Sequence, residues 1–323
     1  MKRIAIFSFW FSVSILLNSK TFSQKFIDAY YKYNWEGTPI ADDASFFSHA
    51  VNTDSGWYRQ DFFLQSGKRN LQMIGLYEDK ENKISNGVFR WYYPQGELKR
   101  FGKYKHGNKD GLWLEWFSNG LLKDSLSYTN GKYSGISMSW YKNGYSKDSL
   151  NIDDDGNGTY VAWFDNGLPS EAGKYKDFKK FGKWIYYHKN GKPSSVELYD
   201  DTLKSFQYYN ENGLPQNDTA LIIKEPAFPG GNKGWNNYIT KNLHFPERVS
   251  ILNSDHIVVV VEATIDETGK IIDAEVIVPF HPVFDKEALR AITQSPKWIP
   301  AESHNRKINS VIPFSVQFGQ GFY

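Results

Sequence analysis

The alternation of hydrophobic and polar residues divides the chain into three regions. Residues 4–17 are mostly apolar, with interspersed serines. From about residue 57 to residue 214, short aromatic-rich segments are separated by glycine-containing turns, a pattern typical of antiparallel strands. From about residue 226, β-branched runs are interleaved with apolar residues at helical spacing. The pattern therefore predicts a mainly β chain with an α+β region at its C-terminal end.

A repeat of about 23–24 residues fills the middle region. Each copy has an aromatic pair, two or three polar residues and a glycine that usually follows an asparagine. The copies end at Gly96, Gly120, Gly144, Gly167, Gly191 and Gly213, and a second series keeps the same period at Gly87, Gly111, Gly135, Gly158 and Gly182. Asn-Gly suits hairpin turns because it tolerates a positive φ. Because a lone hairpin is marginally stable in water, we expect the copies to stack into a long, twisted antiparallel array.

The aromatic residues at the repeated positions have two interpretations. They are Trp91, Trp116, Trp140, Trp163, Tyr186 and Tyr208. The simpler interpretation makes them the shared core of the stack, and the other makes them a binding face for a protein, glycan or lipid. The period and the aromatic–Asn–Gly signature resemble MORN-type repeats, in the variant of antitoxin-like repeat proteins, over roughly residues 57–214. That resemblance implies a scaffolding or lipid-associated role and identifies no ligand.

The C-terminal region predicts two helices and three strands. The helices are expected over residues 235–243 and from Pro282 through Ile292, and the strands over residues 256–265, 270–278 and 308–318. Asp266 to Gly269 predicts a hairpin turn between the first two strands, and residues 296–300 predict a turn before the last strand.

This order of elements resembles the C-terminal domain of TonB, in the form common in Bacteroidetes-like proteins, over about residues 226–320. The matching motifs are Pro229-Gly230-Gly231, Phe245-Pro246, the strand–turn–strand around residues 266–270, Asp285-Lys286-Glu287-Ala288-Leu289 and Pro296-x-Trp298-x-Pro300. The resemblance implies a three-stranded antiparallel sheet with two helices on one face. It also implies a protein partner that adds a strand to a sheet edge. By analogy, the partner-binding residues are Asn242, Phe245, Pro246, Ser310, Val311, Ile312, Pro313 and Phe314. Pro313 suits an edge strand, because proline has no N–H to donate.

The N-terminal segment predicts export. Met1-Lys2-Arg3 precedes the apolar stretch, and the small residues Thr21 and Ser23 precede Gln24, as in a signal peptide cleaved after Ser23. Fourteen helical residues span about 21 Å, which is less than the ~30 Å hydrocarbon core and favours cleavage. The alternative is that the segment is retained as an inner-membrane anchor. Energy transducers of the TonB type keep a membrane helix with a serine–histidine pair and a proline-rich spacer. Residues 4–17 contain no histidine, and the repeats occupy the place of the spacer. We therefore expect a periplasmic or envelope protein with no integral span after cleavage.

Composition and local motifs exclude several other functions. The 38 Lys and Arg residues nearly balance the 36 Asp and Glu residues, so there is no basic footprint for nucleic acid. The absence of cysteine excludes disulfides, thiolate catalysis and cysteine metal sites. Residues 153–158 match the first half of a calcium loop, but the twelfth position is Phe164, which favours a polar turn. His281, Asp285 and Glu287 are interpreted as helix capping and solvated surface. The sequence thus predicts no enzyme, no metal site and no cofactor.

Taken together, the sequence predicts five parts. They are a signal peptide (1–23), a lead-in (24–56), a MORN-like β-repeat array (57–214), a linker (215–225) and a TonB-like domain (226–323). The predicted protein is a periplasmic adaptor that binds outer-membrane TonB-dependent receptors, or other envelope proteins, by strand addition, with energy-coupled transport as the wider process. The alternative is a scaffold whose array binds a protein, glycan or lipid and has no transport role.

Overall fold

The computed structural model describes residues 26–217, 223–246 and 256–319. The predicted signal peptide and its cleavage site lie outside these ranges. Within them, no helix is both long and apolar enough to cross a membrane.

Eighteen strands form one antiparallel sheet. They are β1 (Phe26–Tyr31), β2 (Gly37–Thr38), β3 (Phe46–Thr53), β4 (Gly56–Gln65), β5 (Lys68–Tyr77), β6 (Gly87–Tyr92), β7 (Leu98–Lys105), β8 (Asn108–Trp116), β9 (Leu122–Thr129), β10 (Lys132–Tyr133), β11 (Gly135–Trp140), β12 (Ser146–Ile152), β13 (Gly158–Trp163), β14 (Pro169–Lys176), β15 (Lys179–Tyr187), β16 (Pro193–Asp200), β17 (Thr202–Tyr209) and β18 (Pro215–Gln216), with a 3₁₀ turn at Ala41–Asp43. β1 pairs with β2 and β3, and from β3 onwards neighbours in sequence pair, with β10 and β11 both against β9. The predicted array is confirmed, and the predicted lead-in over residues 24–56 contributes β1–β3 to the same sheet.

The repeated Asn-Gly turns use the two residues for different reasons. Gly120 has φ 82°, whereas Asn119 before it does not adopt a positive φ. The side-chain oxygen of Asn119 instead accepts a hydrogen bond from the N–H of Leu121 at 3.1 Å. The same contact recurs at Asn143, Asn166 and Asn190. The positive φ expected of the pair therefore belongs to the glycine alone, and the asparagine closes the turn with its side chain.

Two glycines outside the repeated series make room for buried indole rings. Trp113 in β8 and Trp184 in β15 are 3% and 1% exposed. A Cβ at Gly102 would overlap the ring of Trp113, and a Cβ at Gly173 would overlap that of Trp184. Each indole N–H donates to a main-chain carbonyl of the preceding strand, at 3.1 and 3.0 Å. The array core is thus built from rings that lie directly on glycine backbone.

The C-terminal domain has a three-stranded sheet with both helices on one face. Its elements are α1 (Gly231–Asn242), β19 (His256–Ile265), β20 (Ile271–Val278), α2 (Pro282–Thr293), β21 (Ala301–Ser303), β22 (Arg306–Ile308) and β23 (Ser310–Gly319). β19 is central, with β20 and β23 as the two edges. Alternate β19 residues, such as Val259 and Val261, pack with Phe284 and Ile292 of α2. This confirms the predicted α+β domain. The β21–β22 hairpin was not predicted, because the sequence indicates only a turn at residues 296–300 before the last strand.

The other face of this sheet packs on the array. Phe46 of β3 and Phe63 of β4 form one hydrophobic cluster with Val260 of β19. At the far end of β19, Glu267 forms an ion pair with Lys189, which follows β15. Because β10 and β11 share one position beside β9, ten strand spacings of ~4.8 Å separate β4 from β15, about 48 Å. The ten residues of β19 span only about 33 Å. The array is therefore curved, and its concave face contacts the C-terminal domain at both ends.

Candidate protein-interaction site

The predicted partner-binding residues of the last strand lie on an edge of the C-terminal sheet. β23 pairs with β19 on one side, and no strand of the described ranges pairs with its other side. Val311 is 60% exposed and Pro313 is also exposed. Ile312 and Phe314 face the helices and pack in the core, and Ser310 is partly buried. A ligand at this edge would meet main chain together with the outward side chains, because the larger apolar residues point inward.

Pro313 defines how the free edge is arranged. It lies opposite Glu262 of β19. A proline within a strand is tolerated where its nitrogen faces away from the neighbouring strand. Main-chain groups two residues apart share a direction, so the N–H groups of Val311 and Ser315 also face outward. The edge therefore has free N–H donors at Val311 and Ser315 and no donor at Pro313 between them.

Asn242, Phe245 and Pro246 lie at and just after the end of α1. The carbonyl of Asn242 accepts a hydrogen bond from Arg290 of α2. Phe245 packs edge-on against Phe284, with ring centroids 5.3 Å apart. Phe245 borders the same core as Phe314, and Pro246 ends a described range. The structure thus brings Asn242 and Phe245 against α2 and gathers Ser310 to Phe314 on the edge.

Trp298 of the Pro-x-Trp-x-Pro motif closes the core beside β23. Its ring lies 5.3 Å from that of Phe314 and 5.4 Å from that of Trp235 in α1. The main-chain N–H of Trp298 donates to the carbonyl of Gly269 at 2.8 Å, and a Cβ at Gly269 would overlap the Trp298 carbonyl. The motif therefore fixes the β23 edge relative to the turn between β19 and β20.

A second site, which the sequence does not predict, joins the two regions through the turn between β21 and β22. His304 Nδ1 lies 2.7 Å from Glu197 Oε1 in β16, and its ring stacks on that of Tyr186. Glu197 is 1% exposed and also accepts hydrogen bonds from Ser195 at 2.8 Å and Tyr199 at 2.6 Å. Burial raises the pKa of the Glu197 carboxyl, but the hydrogen bonds from His304 and Tyr199 more than offset this and leave the pKa below its usual value.

Arg306 follows in the same hairpin and is nearly buried. Its side chain is 8% exposed. It donates to the carbonyls of Ser170 at 2.5 Å and Tyr187 at 2.7 Å, and it lies 3.7 Å from Glu171. Burial lowers the pKa of Arg306, and Glu171 acts in the opposite direction. A guanidinium keeps its charge under such conditions, so the array holds a buried cation of the C-terminal domain. Its partners lie more than a hundred residues away, so no local pattern indicates the site.

A cleft of 1510 Å³ lies between the concave face and the C-terminal domain. Lys142 crosses it to Asp273 of β20 at 2.8 Å, and Lys189 reaches Glu267. Both ion pairs join the array to the domain. The cleft is therefore part of the interdomain contact and is lined by charges from both sides.

The repeated aromatic positions do not form one row. Counted back from the glycine that ends each copy, Trp91, Tyr186 and Tyr208 are five residues away, whereas Trp116, Trp140 and Trp163 are four residues away. Side chains of consecutive strand residues point to opposite faces, so the two groups belong to opposite rows. Tyr186 and Tyr208 are fully buried, and the four tryptophans are partly buried.

The calcium-loop resemblance at residues 153–158 corresponds to a turn. The N–H of Asp153 donates to the carbonyl of Asn157 at 2.9 Å, and the N–H of Gly156 donates to that of Asp153 at 3.0 Å. Asp153 Oδ1 accepts from the N–H of Asn157, and such hydrogen bonds lower the pKa of Asp153. The turn has the hydrogen bonds of the repeat turns, and no described residues form a cluster that could hold a metal ion.

The start of α2 corrects one detail of the sequence interpretation. His281 caps the helix by accepting from the N–H of Val283 at 3.4 Å. Asp285 was interpreted as solvated surface, yet it is 9% exposed. It accepts hydrogen bonds from the N–H of Phe280 at 2.9 Å and from Gln65 of the array at 2.7 Å. Burial of Asp285 results from domain docking, which the local sequence does not indicate.

These features define a class of protein in which a β-repeat array carries a small α+β domain whose two edge strands, β20 and β23, pair with no further strand of the described ranges. The family of the Gram-negative bacterial TonB protein C-terminal matches residues 241–319, about a quarter of the chain. The matched family is a protein-interaction domain of Gram-negative envelope proteins, and the likeness covers residues 241–319 only. No curated protein matches the chain.

Proposed function

We propose that the protein is an exported adaptor of the Gram-negative envelope whose C-terminal domain binds an extended segment of a partner by adding it as a strand to β23. The unpaired edge of β23 carries this proposal. The family match over residues 241–319 supports it. The partner class we propose first is an outer-membrane TonB-dependent receptor, because the resemblance of residues 226–320 to the TonB C-terminal domain implies such a partner.

Binding at β23 rests mainly on main-chain hydrogen bonds in this proposal. No side chain on the face of β23 opposite the helices carries a charge. The residues on this face are Val311, Pro313, Ser315 and Gln317. Main-chain pairing supplies affinity in strand addition, and alternate side chains supply specificity. An uncharged edge favours partner segments with high β-propensity over segments whose binding depends on one charged side chain.

A pair of proline substitutions tests the proposal on the full chain. Ser315→Pro removes an outward donor from β23, and Ile272→Pro places the same residue on the opposite edge strand, at a position that is 52% exposed. Peptides from receptor N-terminal segments are titrated into each protein by calorimetry. We expect Ser315→Pro to weaken binding at least tenfold and Ile272→Pro to leave it nearly unchanged. Equal losses, or no binding by the unaltered chain, would overturn strand addition at β23.

We propose release from the inner membrane as part of this function. Cleavage after Ser23 separates the array and the C-terminal domain from the apolar segment. An adaptor of this kind binds partners without transmitting force. The domain boundaries predicted above, and the kinship of the array with MORN-type repeats, belong to the same proposal.

A scaffold is the second candidate, and a regular row of exposed residues favours it. The residues that follow the repeat glycines include Leu121, Tyr145, Leu168 and Leu214, which are 42–60% exposed. Apolar residues repeated along one edge of an array suit a protein partner. Tyr145→Ser with Leu168→Ser would abolish partner capture if the array binds it and would leave capture unchanged if β23 does.

A further inference from the structure

The turn between β21 and β22 binds the array through two basic side chains, those of His304 and Arg306. We call the four residues His304, Arg306, Glu171 and Glu197 the interdomain lock. His304 faces Glu197 at 2.7 Å, and Arg306 faces Glu171 at 3.7 Å. Asn305 between them donates to the carbonyl of Tyr209 at 2.9 Å. The lock and Asn305 therefore hold the domain to β14–β17 mainly through polar and ionisable groups.

Glu197 depends on His304 for a counter-charge. Among the described residues, His304 is the single basic side chain that forms an ion pair with Glu197 within 4.0 Å when it is protonated. A buried carboxylate without a counter-ion is strongly destabilising. Histidine is the side chain whose charge ordinarily changes between pH 5 and pH 8. Whether Glu197 has a counter-charge thus depends on whether the His304 imidazole carries a proton.

The other charged and titratable groups around His304 keep one state near neutral pH. Burial raises the pKa of Tyr186 and of Tyr199, so both phenols stay protonated. Burial lowers the pKa of Lys180 from its high ordinary value, and the ammonium group lies 2.6 Å from the Tyr186 hydroxyl. Arg306 on the same hairpin remains a cation, and Glu171 of β14 faces it. These groups contribute a fixed background against which His304 changes.

We propose that docking of the C-terminal domain on the array is coupled to proton binding by His304, so that docking is strongest at acidic pH and weakens as the pH rises through neutrality. Undocking removes the imidazolium from Glu197, so proton binding favours docking and docking favours proton binding. One coupled proton changes the docking constant by at most about tenfold per pH unit. The inference concerns the array–domain contact and does not depend on strand addition at β23.

Fluorescence energy transfer on the full chain measures docking directly. The chain contains no cysteine, so Asp201→Cys in the array and Lys286→Cys in α2 supply unique labelling sites, and both positions are exposed. Transfer is recorded from pH 5.5 to pH 8.5 in this doubly labelled chain and with added His304→Gln or Glu197→Gln. His106→Gln is the matched control, because His106 lies 2.6 Å from Glu78 within the array and is 70% exposed.

We expect the undocked population to grow up to tenfold per pH unit in the unaltered lock and in His106→Gln. His304→Gln and Glu197→Gln should each give a flat profile. The series is repeated with Arg306→Lys, which weakens the second contact and brings a tight docking equilibrium into the measurable range. The proposal fails if His304→Gln keeps the pH response, or if the profile is flat in both the unaltered and the Arg306→Lys lock.

Discussion

The imidazole of His304 lies on the ring of Tyr186 in a nearly parallel stack, with centroids 3.5 Å apart and an interplanar angle of 6°. Tyr186 belongs to the inward row of the array, and His304 belongs to the C-terminal domain. The stack therefore turns part of the aromatic row into a contact surface between two regions. In this pair, a repeated aromatic residue serves both as array core and as docking partner.

Arg306→Ala should strongly destabilise the docked protein. The change leaves Glu171 without its counter-ion and two main-chain carbonyls without their donor. Removing one partner of a buried ion pair costs about 3–5 kcal/mol. Urea unfolding monitored by tryptophan fluorescence measures the loss in free energy. Lys179→Ala is the control, since Lys179 and Asp201 form an exposed pair at 3.4 Å, and such pairs contribute about 0–1 kcal/mol. Similar losses in both variants would contradict the assignment.

Gly173→Ala should lower the free energy of unfolding by about 1–3 kcal/mol, because an added methyl group overpacks the site against Trp184. Thermal unfolding followed by near-ultraviolet circular dichroism detects both the loss and the displaced indole. Gly37→Ala is the matched control, since a Cβ there meets open space. An unchanged melting temperature for Gly173→Ala would show that the ring moves at no cost.

Glu115→Gln should flatten the acid dependence of stability. Burial raises the pKa of Glu115, but Arg100 and Lys123, at 2.7 and 2.9 Å, together leave it below the ordinary value of 4.5. Such a carboxyl stabilises the fold above pH 4.5, and this contribution is lost as the pH falls through the folded-state pKa. We expect a loss of about 2 kcal/mol at pH 6 and a smaller difference at pH 3. Urea titrations between these limits provide the measurement, with exposed Glu81→Gln as the control.

The mature protein should begin at Gln24 and be recovered from the soluble periplasmic fraction. N-terminal sequencing of protein from soluble and membrane fractions checks this, because signal peptidase cleavage after a small residue leaves a defined new terminus. An intact terminus in the inner membrane would contradict the prediction and would make force transmission the better interpretation.

Local sequence patterns account for most of the fold. The repeat glycines and aromatic segments predict the hairpins, since turn chemistry and alternation act within a few residues. The patterns do not show that the side chains of Trp116 and Tyr186 lie on opposite faces of the sheet. A shift of one residue relative to the turn reverses the face to which a side chain points. They also assign the asparagines a role in positive φ that the glycines fulfil alone.

The sequence predicts more of the β23 edge site than of the interdomain lock. Resemblance in the C-terminal region places Ser310 to Phe314 on one strand, and the structure makes that strand an edge. It does not indicate that Ile312 and Phe314 point inward. The pairing of His304 with Glu197 joins residues 107 positions apart, and it depends on the curvature of the whole array. Such contacts follow from tertiary geometry, so neither spacing nor composition predicts them.

The curvature of the array has a consequence for how the protein unfolds. Open repeat stacks are nearly one-dimensional, so their terminal copies fray independently of the rest. Here Gln65 near one end contacts Asp285, and Glu197 near the other end contacts His304, both on the same small domain. The ends are thus tied through a common body, and loosening either end disturbs the other. Heat or denaturant should therefore melt the chain as one cooperative unit, with no stepwise loss of copies from its ends.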